Sequence, residues 1–494
     1  MSVMVSLHDF LMVVMVRPEC SEGVMEEQIV DIVGAGLAGS EAAYQLAVRG
    51  IRVRLYDMRP FKKTAVHKTD RCSELVCSNS LKSTRPDSTA GMLKYELSCL
   101  KSCVLQCAYD TQVPAGGALA VDRDLFARAV TTLIDNHPLI ERITAEVVGI
   151  EPSGALRVVD DSCDEGKVIA PPAQAVIIAS GPLTSDALAQ VVQDLTGHEH
   201  LAFYDAAAPV VMADSLDRSR VFSQSRYEDT GIGDYLNAPF DKESYERFVH
   251  ALLEADRVIK RDFETADLFQ ACQPIEEIAR RGFDAPRFGP LKPVGLIDPA
   301  TGRRPWAVVQ LRAEDAHGQS YNLVGFQTNL TFSEQCRVFR MIPGLEQAEF
   351  ARYGVMHRNT FINAPHLLDS TLRLRSQAAS HLPIPLYIAG QLGGTEGYCE
   401  AIASGLVAAL NAAATVRKRD IDSFPIDTAF GSLLHYATDT TVDDYQPMHV
   451  NFGIMRPLET PIRNKRQRYA AYAERGARAM EAYVAHLYQQ GLME

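Results

Sequence analysis

Apolar residues at Ile29, Val30, Ile32 and Val33 form a short continuous run. That is the pattern of a parallel strand buried on both faces. Small and apolar residues then recur at helical spacing through Ala42, Ala43, Leu46 and Ala47, and Gly50 stands where it can cap the helix. A second apolar run, Ile51 to Tyr56, ends at Asp57. Between strand and helix lie Gly34, Gly36 and Gly39, in G-x-G-x-x-G spacing. Glycines there permit a tight turn and let backbone N–H groups, those of Ala35, Leu37 and Ala38 included, approach a pyrophosphate at the positive end of the helix. Asp57 falls where an acid holds a ribose hydroxyl.

The same alternation of strand and helix continues. SELVCSNSLKSTRPDS is polar and reads as a loop, and GMLKYELSCLKSCVLQCA reads as one helix. PAGGALAVDRDLFARAVTTLID combines a glycine turn with a helix for which Asp122 is the N-cap. A β-rich passage closes on a buried strand, Val176 to Ala179, that runs into Ser180, Gly181 and Pro182. From about Leu201 to Pro343 the pattern changes to aromatics, prolines and charges mixed with amphipathic helices such as KESYERFVHALLEADRVIKRDFE. The strand–glycine–helix pattern returns late, with a strand at Leu386 to Ala389, a turn from Gly390 to Gly397 and a small-residue helix from Ala401 to Ala414.

Two such units far apart are what a two-part flavin fold needs. One holds the adenine-side pyrophosphate. The other brings a helix dipole to the flavin end, with Gly390, Gln391, Glu396 and Gly397 in its turn. The expected fold class is α/β: a two-part FAD-binding Rossmann-like fold with an inserted α/β domain. Expected boundaries are a poorly ordered N-terminal extension at 1–27, a first FAD-binding part at 28–200, an insertion at 201–343, and a second FAD-binding part with C-terminal helices at 344–494.

Composition narrows the setting. The chain has 494 residues, ten cysteines and a formal net charge of −13. The apolar run Phe10 to Val16 is too short for a membrane span and follows Asp9 without a basic segment. Ten cysteines without a paired framework then point to free thiols in a reducing cytoplasm. The net charge argues mildly against nucleic acid. Basic residues nevertheless cluster at Arg280 to Pro293, Arg417 to Arg419 and Arg463 to Arg468, where the plain alternative is a solvated helix face.

Cys99, Cys103 and Cys107 recur every fourth residue and read as small core thiols, not metal ligands. Cys72 and Cys77 form a C-x4-C pair, too wide for the usual C-x-x-C redox motif. Cys272 precedes Pro274 by two residues, which puts it at or beside a helix N-cap, where the dipole favours a thiolate. A buried helix-start cysteine is the alternative. Cys77, in a polar loop, reads as exposed. Two available thiols in a flavoprotein suggest thiol chemistry beside the flavin.

At these residues the chain resembles the folate- and FAD-dependent tRNA (uracil-5-)-methyltransferases, the TrmFO or Gid family. The resemblance rests on GAGLAGSEAAYQLAVRG, YDMRP, ELVCSNSLKS, VPAGGALAVDR, ASGPLTSDAL, FYDAAAPVV, CQPIEEIARRG, FGPLKPVGLIDPATG, YGVMHRNTFIN, AGQLGGTEGY, ASGLVAALNAA and QPMHVNFG, in collinear order from about residue 29 onward. Asp57 stands where the family pattern leads one to expect Glu. Cys72 and Cys399 stand where other residues are expected and are given no role. Asp160 to Pro172 reads as a loop elaboration.

The resemblance implies methylation of C5 of the T-loop uridine at tRNA position 54. Carbon would come from 5,10-methylenetetrahydrofolate and electrons from FADH2 refilled by NAD(P)H. Uracil C5 is a poor nucleophile until a thiolate adds at C6. A base must then remove the C5 proton, and a hydride completes the methyl group. The resemblance makes Cys272 the C6 nucleophile, Cys77 the second thiol near the flavin, and Tyr398 a candidate to stack on the pterin. Tyr398 could equally be a packed residue at a helix start. His357, Arg358 and Asn359 are polar enough to line the site, without assigned roles. Three other functions are weighed: a related flavin–folate enzyme of the tRNA wobble uridine, an FAD-dependent thiol oxidoreductase, and a non-catalytic tRNA-binding flavoprotein. The first is disfavoured by CQPIEEIARRG and SELVCSNS, the second by the lack of a close redox pair, and the third by the helix-start thiol.

Overall fold

The computed structural model describes residues 27–493 except 65, 198–200, 227–232, 260–272, 376–381, 420 and 443–444, and gives no side-chain description for 164–165, 201–205 and 357–358. Five parallel strands form the central sheet. In spatial order they are Leu386–Ile388, Ala175–Ile178, Ile29–Val33, Arg52–Asp57 and Ile140–Thr144. The late strand therefore joins the early ones in one sheet, pairing Ile177 with Tyr387. The core around this sheet is dominated by Val, Ile and Leu, as a sheet covered on both faces requires.

One charged pair lies inside that sheet. Asp31 faces Arg54 across neighbouring strands, and the guanidinium donates to both carboxylate oxygens at 2.6 and 2.8 Å. Both residues are buried. A slip of one residue would separate them, so the pair fixes the register of the two strands that carry the first glycine turn.

The helix Leu37–Ala47 packs against the long helix Tyr398–Val416. The latter is long and apolar enough to cross a membrane by length and composition, but it lies mostly buried in the fold. Small residues line it, including Ala401, Ala408, Ala409, Ala412 and Ala413. It begins at Tyr398, three residues earlier than its small-residue pattern suggests.

The insertion has its own core, from Ala208 to Ala348, with Phe240, Tyr245, Phe248, Phe326 and Phe339 at its centre. Its six strands run Phe222–Ser223, Tyr235–Phe240, Ala307–Ala313, Ser320–Leu323, Val210–Met212 and Phe350–Arg352 in spatial order, and every neighbouring pair is antiparallel. The sheet thus continues past residue 343. A two-stranded antiparallel ribbon, Leu201–Ala206 with Met356–Phe361, joins the insertion to the flavin-type domain.

Three local expectations change. The segment carrying Cys99, Cys103 and Cys107 is two helices, Thr89–Cys99 and Cys103–Asp110. Lys101 turns left-handed between them (φ 57°), and Ser102 caps the second by accepting from Leu105 N–H. The helix at 242 ends at Glu254, because the chain then pairs with residues 329–331 through Val258 N–H to Asn329 C=O and Thr331 N–H to Asp256 C=O. Asp160 to Pro172 contains a strand, Cys163–Val168, paired with Leu156–Asp160. The expected extension falls outside the described residues up to 26, while Glu27 already pairs with Arg52 at 2.5 Å.

Breaking the buried pair should cost more than deleting it. Asp31→Ala alone should destabilise by about 3–5 kcal/mol, because it leaves a buried guanidinium uncompensated. Asp31→Val with Arg54→Met should recover most of that loss. Chemical denaturation of the three proteins checks this, and equal losses in all three would count against it.

Candidate active site

The three glycines of the first turn have different jobs. Gly34 sits at φ +106°, and a Cβ there would lie 2.6 Å from Ala179 O. A Cβ on Gly39 would drive into Gly34 O. These two let the strand ends and helix close-pack. Gly36 is the N-cap of Leu37–Ala47, and a Cβ on it would meet nothing within 4 Å. Its backbone faces open space. No side chain caps this helix, and its first turn holds no acid. Such a terminus suits an anion. Ala35, Leu37, Ala38 and Gly39 belong to the same turn. On the neighbouring strand end, Gly181 (φ 72°) likewise has open space at its Cβ position, and Ser180 Oγ pairs with Thr184 Oγ1 at 2.7 Å.

Asp57 ends the second strand, close to that turn. Its Oδ2 accepts from Ala35 N–H at 3.2 Å and from Arg59 Nη2 at 2.7 Å. Its Oδ1 accepts from Arg59 N–H and Nε, both at 2.9 Å. Four donors fill the acceptor positions of one carboxylate. In this arrangement Asp57 organises the turn and holds Arg59, and a ribose hydroxyl would have to displace one of these donors.

The second glycine turn reaches the first. A Cβ on Gly390 would lie 3.3 Å from Ala38 Cβ. Gly390 N–H donates to Ser404 Oγ at 2.6 Å, Gln391 Nε2 donates to Glu396 Oε2, and Gly397 caps the helix that starts at Tyr398. Sequence positions some 350 residues apart thus share one end of the sheet.

Tyr398 and Cys77 come together there. The Tyr398 hydroxyl accepts from the N–H groups of Cys77 and Ser78, each at 3.1 Å. Burial, and then the neighbouring Cys77, push its phenol far above the usual range. It therefore stays protonated and keeps one O–H to donate. The Cys77 side chain is half-buried, with Sγ 3.7 Å from Ala206 O on the ribbon to the insertion.

The residues that position this loop were not legible in the sequence. Arg123, at the first position of its helix, donates to Leu75 O at 2.7 Å and Cys77 O at 3.1 Å, and pairs with Glu314 of the insertion. Arg352 Nη2 approaches Cys77 O at 3.5 Å. Burial, then the like charges of Arg352 and Arg123, lower Lys68. Lys82 is left-handed (φ 66°), and its Nζ lies 3.3 Å from the buried Glu400 carboxylate. Burial alone would lower Lys82, but Glu400 and Glu396 outweigh it and raise the ammonium. Glu400 also accepts from Val450 N–H at 3.3 Å. Only the Asp122 N-cap ahead of Arg123 was foreseeable, and it accepts from Asp124 and Leu125 N–H at 3.0 Å.

Cys272 lies outside the described residues, as do the side chains of His357 and Arg358. The following helix begins at Ile275 with Pro274 as N-cap. Its Glu276 is fully buried, accepting from Asn329 N–H at 2.6 Å and Thr328 Oγ1 at 3.0 Å. Burial pushes this carboxyl up to about 7. Asn359 is buried. Cys103 and Cys107 are raised by burial, Cys107 to about 12, which keeps them as thiols. Among the described residues no group of three or more His, Cys, Asp or Glu could hold a metal.

A family model described as glucose inhibited division protein A matches residues 29–420. A Bacillus velezensis protein named methylenetetrahydrofolate--tRNA-(uracil-5-)-methyltransferase TrmFO is 49% identical over 92% of this chain and 99% of its own. A Symbiobacterium thermophilum protein of the same name is 50% identical over 93% of this chain and 98% of its own. The crystal structure of Aquifex aeolicus GidA (form I) superposes with a TM-score of 0.68 at 15% identity, over 95% of this chain and 77% of that one. That likeness concerns the fold.

Two predictions follow from the geometry. Gly36→Val should give a folded protein that purifies without FAD, because the new side chain occupies open space at the helix end. Gly39→Val should instead destabilise the apo fold by about 1–3 kcal/mol or more, since overpacking has no room to relax. Flavin absorbance and apo-protein Tm separate the two, and equal Tm losses would refute the division of roles. Glu276 sets a pH trend. Burial raises it from the usual 4.5 to about 7, so the folded state holds the proton more tightly. Its contribution to stability is full below about 4.5 and is lost as pH rises through about 7. The Tm advantage of wild type over Glu276→Gln should shrink across that window; a widening gap would refute it.

Proposed function

We propose that this chain, which belongs to the glucose inhibited division protein A family and within it to the methylenetetrahydrofolate-dependent tRNA (uracil-5-)-methyltransferases, methylates C5 of a tRNA uridine. The observation that carries the reading is 49% identity to a protein of that name along nearly the whole length of both chains. The rival functions lack such support. FAD is the cofactor and 5,10-methylenetetrahydrofolate the carbon donor. NAD(P)H as reductant, position 54 of the T loop as target and the cytoplasm as setting extend the same reading.

The first glycine turn fits the flavin cofactor. Gly36 leaves its backbone open, the helix N-terminus carries no cap, and Gly181 borders the same end of the sheet. In this reading Gly34, Ala35, Gly36, Leu37, Ala38, Gly39, Ser180 and Gly181 hold the adenine-side half. Gly390, Gln391, Glu396 and Gly397 hold the other. Asp57 either shares its carboxylate between Ala35, Arg59 and the ribose or acts wholly through the turn. The bound flavin supplies hydride.

The chain's own groups handle the uridine. Cys272 adds to C6 as thiolate, forming a C–S bond and making C5 nucleophilic. C5 would then attack the methylene carbon of the donor, a C–C bond forming as a C–N bond of the donor breaks, and only then would the C5 proton leave to a base. The C–S bond breaks when the methyl group is complete, and the thiolate is restored. Cys77 is held on the flavin side by Tyr398 through its own N–H and by Arg123 through its C=O. Tyr398 stays a neutral donor. Its hydroxyl is tied to the Cys77 loop, and in this reading its ring packs on the pterin. Lys82 keeps a positive charge beside the same helix start.

The basic cluster at the start of the C-terminal helix fits a polyanion. Arg463, Lys465 and Arg466 are exposed, and Arg468 lies over the Tyr469 ring at 5.7 Å. Cations at a helix N-terminus oppose the dipole, and phosphates would offset that.

Labelled methylene-folate, NADH and an unmodified tRNA transcript should together yield labelled 5-methyluridine, and absence of that product with flavin-loaded enzyme would overturn the reading. With 5-fluorouridine at the target, Cys272→Ala should lose both the covalent adduct and turnover while keeping FAD. Cys77→Ala should lose turnover. Adduct formation by Cys272→Ala but not by Cys77→Ala would reverse the two thiols. Replacing Arg463, Lys465, Arg466 and Arg468 with Ala should weaken tRNA binding and flatten the salt slope by up to about 3. Unchanged affinity and slope would leave that cluster a solvated face.

A further inference from the structure

Phe288 is 78% exposed, at the end of the short helix Ala285–Phe288 of the insertion. Arg287 lies beside it and also faces Asp284 at 3.9 Å. The Arg287 guanidinium lies 3.7 Å from the centroid of the Trp306 ring and 5.4 Å from that of Phe288. Arg287 Nε also donates to Trp306 O at 3.3 Å, so the guanidinium is held in place. Lys242 Nζ lies 5.7 Å from the Trp306 ring, and Lys292 is exposed one short turn past Phe288. Between Arg280 and Trp306 the sequence has six Lys and Arg against two Asp, in a chain of net charge −13.

A Phe so exposed contributes little to its own fold. A ring flanked by a fixed guanidinium suits the π-face of an unstacked base, and the surrounding cations suit its phosphates. A second copy of this chain fits less well. Two such faces placed together would set like charges against each other, and one isolated aromatic is not a dimer core. Helix Ile275–Arg281 packs against the Phe288 helix. A uridine must leave its stack before any thiolate reaches C6. A platform that stacks a neighbouring base offsets part of that cost.

We propose that Phe288, with the Arg287–Trp306 stack behind it, forms a platform that stacks an unpaired base of the tRNA substrate. The proposal rests on the tRNA-methylating function above and adds where the RNA loop is held.

The test uses the full-length, FAD-loaded protein and an unmodified tRNA transcript. Phe288→Ala should keep flavin content and Tm, since the ring is almost uncovered. It should weaken tRNA binding about 5- to 150-fold, the range for loss of one base–aromatic stack, with an unchanged salt slope. Phe288→Trp should bind as wild type does. Lys292→Ala should lower the salt slope instead. A wild type that forms 5-methyluridine, with a Phe288→Ala variant of unchanged tRNA affinity, would overturn the platform and leave the function standing. Loss of self-association in Phe288→Ala without RNA, at unchanged tRNA affinity, would assign the face to a second copy and also overturn it. A wild type that neither binds tRNA nor forms product would overturn the function and the platform together.

Discussion

Two helices approach only as closely as the atoms between them allow. A side chain on Gly405 would drive into the Ala38 carbonyl, so the backbone of Tyr398–Val416 rests on the first turn of Leu37–Ala47. Gly39 against Gly34, and Gly34 against Ala179, continue the same contact into the sheet. The second glycine turn reaches the same place, where a Cβ on Gly390 would lie 3.3 Å from Ala38 Cβ. Each N-terminus carries partial positive charge. Neither has a side-chain cap, and the first has no acid in its opening turn. The first helix end therefore keeps a positive potential that no acid in its opening turn offsets, whereas Glu400 stands in the first turn of the second; an anion such as a pyrophosphate suits the first. Close packing here is a structural requirement, and a helix end open to an anion is its electrostatic consequence.

The thiol side of the site depends on a second joint. The Cys77 loop has little core of its own. It is held by groups from three distant parts of the chain: Arg123 from a helix of the flavin-type domain, Tyr398 from the long buried helix, and Ala206 from the ribbon to the insertion. Arg123 also pairs with Glu314, and Arg312 Nε donates to Asn79 Oδ1 at 2.8 Å. The loop is thus fixed by the same contacts that dock the insertion. A change in domain docking would be felt at Cys77, while the glycine turns, built on the sheet itself, would feel it less.

What the sequence disclosed follows the range of the interactions. The strand–glycine–helix units at 29–57 and 386–416 were legible because their signals are local: apolar runs, glycine spacing and a small-residue helix. The Asp122 cap was legible for the same reason. The Asp31–Arg54 pair was not, because a charged residue inside an apolar run has meaning only once strand order is known. The break after Cys99 was missed because Lys101, not glycine, takes the left-handed position. Lys82 does the same beside Glu400. The reach of Arg123 to Cys77 spans 46 residues of sequence and leaves no local trace. Asp57 was legible as an acid at the strand end, but the four donors on it come from folding. Family resemblance named Cys272, Cys77 and Tyr398; geometry joins the last two, and Cys272 lies outside the described residues.

The acidic total and an RNA substrate are compatible once distance is considered. At physiological salt, charges farther apart than about 8 Å are largely screened on an exposed surface. A phosphate therefore responds to the nearest side chains and not to a net charge of −13. Three basic islands, Arg280–Pro293, Arg417–Arg419 and Arg463–Arg468, stand out in the sequence against the acidic remainder. Charge gathered in a few islands narrows the poses a tRNA can take, which favours orientation over raw affinity. An enzyme that must place one base of a large polyanion at one thiol gains from that arrangement, because a uniformly basic surface would hold the RNA in many unproductive poses.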